Sequence, residues 1–134
     1  MSEPKYTIQW VSDMFGMLVD NRGRSPLEKA FKKDSGVKAA LFETVKAIES
    51  FNYEEGVKFA FDTKRFKTVK RPHLSLIEIR KLKNTWRVLT YWDRGRKKFV
   101  MLNAFEAHKN KTLNKFVNEQ KELIAAACEQ LGKE

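Results

Sequence analysis

The chain has 134 residues, 42% of them hydrophobic, one cysteine and a net charge of +10. That length suits one domain with a core large enough to stand without disulfides. No apolar run reaches the roughly 18 residues of a membrane span, and Cys128 alone excludes both an internal disulfide framework and a cysteine-rich metal site.

The start, MSEPKYTIQW, lacks the charged and apolar blocks of a secretion signal, so a reducing cytoplasm is the expected compartment. Tyr6 to Val11 alternates as an opening strand. Asp13 to Asp20 carries Met14, Phe15, Met17, Leu18 and Val19, and reads as a short helix capped by Asp13. Ser25-Pro26-Leu27-Glu28 has the cap, proline and glutamate of a helix start, and that helix is expected to stop near Asp34. A longer helix, about Ser35 to Ser50, places Val37, Leu41, Val45 and Ile48 on one face.

Val57 to Asp62 alternates like a strand, and Phe66 to Lys70 follows it. The pair reads as an extra hairpin or as a basic loop packing phenylalanines. Leu76 to Arg80 reads as a strand with Leu76, Glu78 and Arg80 on one side and Ile77 and Ile79 on the other. Trp86 to Trp92 is a strand with Arg87, Leu89 and Tyr91 on one side. Asp93 to Arg96 is a tight turn in which Gly95 is free to take positive φ. Lys98 to Phe105, the most apolar run of the set, reads as a central strand able to pair with the opening strand or with its predecessor. Thr112 caps a final helix to about Gly132, with Cys128 as a small core residue. No repeat or linker divides residues 1–134.

The positive charge is segregated. Val57 to Lys111 holds 16 Lys/Arg against 4 Asp/Glu, a net of +12, whereas the remainder holds 11 against 13, a net of −2. A basic field on a sheet points to nucleic acid, with an acidic protein as the rival partner. The chain has no phosphate-binding glycine loop, nucleophile elbow or metal-spaced His/Cys set, so neither metal nor cofactor is expected. What remains is Arg80, Arg87, Tyr91, His108, Lys109 and Lys111. Arginine forks match phosphate oxygens, and a histidine can move protons near neutral pH. Such a set suits RNA cleavage by the ribose 2′-hydroxyl without a metal. Lys67, Lys70, Arg94, Arg96, Lys98 and Lys111 are candidate RNA-backbone contacts. The plainer reading is that Glu78 pairs with Arg80 or Arg87, that Tyr91 packs, and that His108 is merely solvated.

Three segments carry a resemblance: Leu76-Ile77-Glu78-Ile79-Arg80, Arg87-Val88-Leu89-Thr90-Tyr91, and Phe99 to Phe105. Over residues 74–127 they resemble the core of RelE/HigB-like toxins, in the phage-derived branch of that superfamily. The resemblance implies an α+β fold: a small, mostly antiparallel sheet with N-terminal helices and a C-terminal helix packed on it. It implies an endoribonuclease that cuts mRNA, often on the ribosome, and is silenced by a cognate antitoxin protein. By position, Arg80, Arg87, Tyr91 and Phe105 match the pattern. Ala107-His108 stands where the branch has two lysines, and Leu113 stands for its proline, which leaves proton transfer to His108 or Lys109. The alternatives are a non-catalytic nucleic-acid-binding or protein-binding relative on the same fold.

Overall fold

A computed structural model describes residues 3–81, 84–107 and 112–134. The chain is α+β, built on one mixed six-stranded sheet. Its strands are β1 (Tyr6–Trp10), β2 (Phe15–Asp20), β3 (Phe66–Thr68), β4 (Leu74–Arg80), β5 (Thr85–Asp93) and β6 (Lys98–Glu106). Among the described residues five helices accompany them: α1 (Pro26–Ala30), α2 (Ser35–Glu49), α3 (Tyr53–Asp62), α4 (Leu113–Glu119) and α5 (Lys121–Gly132). The spatial order is β1-β2-β6-β5-β4-β3. Every pairing is antiparallel except β2 with β6. The sheet is therefore larger than the small, mostly antiparallel one the sequence suggested. None of the described helices is long and apolar enough to cross a membrane.

The enlargement comes from β2. Phe15 to Val19 was expected to be helical, yet it is a strand buried on both faces. A strand covered on both sides loses its alternation, and a short apolar run then looks the same for either structure. β2 folds back on β1 through a tight turn, where Val11 N–H donates to the Phe15 carbonyl at 2.9 Å. Its other edge docks alongside β6, and the paired residues Phe15 and Phe99 stack with centroids 4.6 Å apart. β6 is central, as expected, but its partners are β2 and β5 and not the opening strand.

Helices lie on both faces. α1, α2 and α3 bury Leu27, Phe31, Val37, Leu41, Val45, Ile48 and Ala60 against Phe15, Ile77, Val88, Phe99 and Met101. α4 and α5 bury Phe116, Leu123, Ala127 and Leu131 against Leu18, Leu76, Leu89, Val100 and Leu102. Ser25 caps α1 as expected, accepting from Glu28 N–H at 3.3 Å.

Residues 57–62, expected as a strand or loop, form the second half of α3. That helix starts earlier, where Asn52 accepts from Glu55 N–H at 2.9 Å and Glu54 and Glu55 occupy the positive end. The second half of the expected hairpin survives only as the three residues of β3.

The final helix breaks at Gln120, which turns inward so that its Oε1 accepts from Asn103 Nδ2 at 3.0 Å. Cys128 is exposed, because Ala127 takes the core position beside it. In the β5–β6 turn the left-handed residue is Lys97 (φ 59°), not Gly95. Asp93 sets that turn by accepting from Arg96 N–H at 2.9 Å, which moves the left-handed position to the last loop residue.

Candidate nucleic-acid interface

Strand alternation builds the site. Leu76, Glu78 and Arg80 of β4 share a face with Arg87, Leu89 and Tyr91 of β5, the face covered by α4 and α5. Cross-strand register sets Glu78 directly opposite Arg87, and β3 brings Lys67 beside Leu76 on the same face. Glu78 occupies a place where an apolar residue would otherwise complete the row, and its side chain is only 4% exposed.

Three cations converge on that carboxylate. Arg80 Nε donates to Oε1 at 2.8 Å. Lys67 Nζ lies 3.0 Å from Oε2, and Arg87 Nε donates to the same oxygen at 3.4 Å. Lys67, Arg80 and Arg87 keep side-chain exposures of 42%, 57% and 33%. Burial would raise the Glu78 carboxyl, but hydrogen bonds from Arg80 and Lys67 outweigh it and hold the group below its ordinary range. It is therefore ionised at neutral pH. The cluster carries three positive charges against one negative, and Nε is only one of five donors on each guanidinium. A cleft of about 520 Å³ opens beside Arg80, between that edge of β4 and α2, and its rim includes Lys64 and Arg65.

The other expected site residues are distributed differently. Tyr91 shares the face but is separated from Arg87 by the buried Leu89. Its ring stacks on His73, centroids 5.6 Å apart. Burial, and then a hydrogen bond between the phenol and the Cys128 thiol, push it up to about 12. Arg94, Arg96 and Lys98 lie at the opposite end of β5. Arg94 sits 3.8 Å over the Trp92 ring, Arg96 pairs with Asp93 at 2.8 Å, and Lys98 Nζ donates to the Asp13 carbonyl. Lys70 is exposed in the β3–β4 connection, next to Arg71, which docks on Asn114 and Asn118 of α4. His108, Lys109 and Lys111 fall outside the described residues. The described chain reaches Ala107, whose N–H donates to the Thr85 carbonyl at 2.8 Å, at the Arg80–Arg87 end of the sheet.

The structure thus unites Arg80, Arg87 and Lys67, and leaves Tyr91, Arg94, Arg96 and Lys98 apart from them. The hub, Glu78, was visible in the sequence only as a pairing choice for one arginine or the other. It pairs with both, because β4–β5 register and the i,i+2 neighbour fall on the same carboxylate. Among the described residues no group of three or more His, Cys, Asp and Glu is placed to hold a metal ion. No protein-family model matches the chain, and a search of curated proteins returns no match.

Proposed function

We propose that the chain is a RelE/HigB-type toxin: a cytoplasmic endoribonuclease that cuts mRNA on the ribosome and is restrained by a cognate antitoxin. The observation that carries this reading is the convergence of Lys67, Arg80 and Arg87 on one partly exposed face. Two arginine forks and an ammonium suit a phosphodiester.

In the proposed reaction the 2′-oxygen loses its proton and attacks the adjacent phosphorus. The P–O5′ bond breaks, the 5′-oxygen gains a proton, and a 2′,3′-cyclic phosphate remains. The guanidiniums of Arg80 and Arg87 meet the negative charge that develops on the phosphoryl oxygens, so the scheme asks for no metal. Proton transfer is assigned to His108 or Lys109, the basic residues at and beside the place where the family pattern has its two lysines. Tyr91 is assigned no proton role, since a phenol with a pKa of about 12 is a poor base at neutral pH and lies away from the arginines.

The test is incubation of purified protein with translating ribosomes and their mRNA and, separately, with free RNA in a chelating buffer. Wild type cuts the message. Arg87→Ala cuts it on the order of a hundredfold more slowly, the usual cost of losing a donor to a developing oxyanion. Intact message with wild-type protein would remove the enzyme reading. A second reading, a non-catalytic RNA-binding or protein-binding relative, draws on the separation of Tyr91 from the cluster. It predicts salt-sensitive RNA binding without cleavage.

A further inference from the structure

We infer that Glu78 is a positioning residue of the anion site: its carboxylate holds Arg80 and Arg87 by their Nε atoms so that their η amino groups face a phosphate. The inference rests on the reading that this face binds RNA, and it adds a residue whose charge alone would argue against a role. An acid in an anion site repels the ligand. By simple charge summation Glu78 weakens RNA binding, and its loss should tighten it.

The geometry argues the opposite. The two arginines reach opposite oxygens of one carboxylate, Arg80 on Oε1 and Arg87 on Oε2. Both use Nε, the donor nearest the chain, so the outer ends of both forks are left to meet another acceptor. Lys67 shares Oε2 and closes the set from β3. Without the carboxylate, three like charges on neighbouring strands repel one another and separate. Long flexible side chains would then have to be ordered by the RNA itself, and that ordering cost appears as lost affinity. The carboxylate is also buried, and hydrogen bonds from Arg80 and Lys67 hold it ionised there. Burying an ion is a poor way to stabilise a sheet, since a well-packed apolar residue does as well or better there. A role in aiming the arginines accounts for the arrangement.

The two accounts predict opposite signs. Equilibrium binding of single-stranded RNA would be measured for wild type, Glu78→Gln, Arg80→Lys and the double variant, across a salt series. Positioning predicts that Glu78→Gln weakens binding about tenfold, the worth of one charge-assisted hydrogen bond, although the protein becomes more positive. It predicts that Arg80→Lys, which keeps the charge and loses the fork, weakens binding similarly, and that the double variant is little worse than either single. It also predicts slowly exchanging Arg Nε–H signals in NMR spectra of the free wild type that vanish in Glu78→Gln. Tighter or unchanged binding by Glu78→Gln, or fully additive losses, would overturn the inference while leaving RNA binding standing. Wild-type protein with no affinity for RNA would overturn both. Should Glu78→Gln fail to fold, Arg80→Lys decides: undiminished binding by that variant also overturns the inference.

Discussion

Tyr91 shows how far one residue's surroundings can move it from the role its neighbours suggest. It stands four positions from Arg87 on the same face of β5, a separation of about 13 Å along a strand. Between them Leu89 is fully buried, and the phenol is enclosed near His73 and Cys128. Alternation made the shared face and the spacing along it legible, but which helix covers which end is recorded in no local pattern. The folded state raises the Tyr91 pKa from the usual 10 to about 12. Its contribution to stability is therefore fully present below pH 10 and is lost as the pH climbs through 12. In an ultraviolet titration, one of the three tyrosines should ionise late, and Tyr91→Phe should abolish that late phase while RNA cleavage persists. A uniform titration near pH 10 would contradict the buried placement.

At the scale of elements, helices with their own caps and stripes were readable, and those defined by tertiary partners were not. Ser25, and the Val37-Leu41-Val45-Ile48 row of α2, lie where local signals put them. β2 was misread because its burial on both faces exists only once helices cover both sides of the sheet. α3 was misread because its start lies five residues upstream of the alternating segment, in the Asn52 cap. The packing of α3 on α2 then turns on Gly56. A Cβ there would stand 2.7 Å from the Ile48 carbonyl oxygen, a backbone atom that cannot swing aside. Alanine is intrinsically the better helix former by about 1 kcal/mol. Here the forced separation should dominate, and urea unfolding of Gly56→Ala should show a loss of about 1–3 kcal/mol. A stabilised variant would mean that the two helices part easily. The break at Gln120 likewise left no trace in the apolar stripe, because Asn103 supplies its reason from another element.

At the scale of the whole molecule, two groups of cations among the described residues lie toward opposite ends of β5. Lys67, Arg80 and Arg87 share a single acid, whereas Arg96 and Lys97 are matched one to one by Asp93 and Glu54. Replacing Arg94 and Arg96 together by alanine should lower the salt slope of RNA binding by at most about 0.7 per lost phosphate contact. The cleavage rate of saturating RNA should stay unchanged, which separates the turn from the Arg80–Arg87 end. The central place of β6 has a further consequence, for the order in which the protein assembles. β1, β2 and the three helices between β2 and β3 are all synthesised before Lys98 to Glu106, the strand on which β2 docks. A ribosome adding residues one at a time therefore releases the β1–β2 hairpin with no strand for its inner edge. The sheet closes only through a contact between segments more than eighty residues apart. Such long-range closure is slow relative to helix formation, and the unpaired edge of β2 is the place where a newly made chain is open to mispairing until β6 arrives.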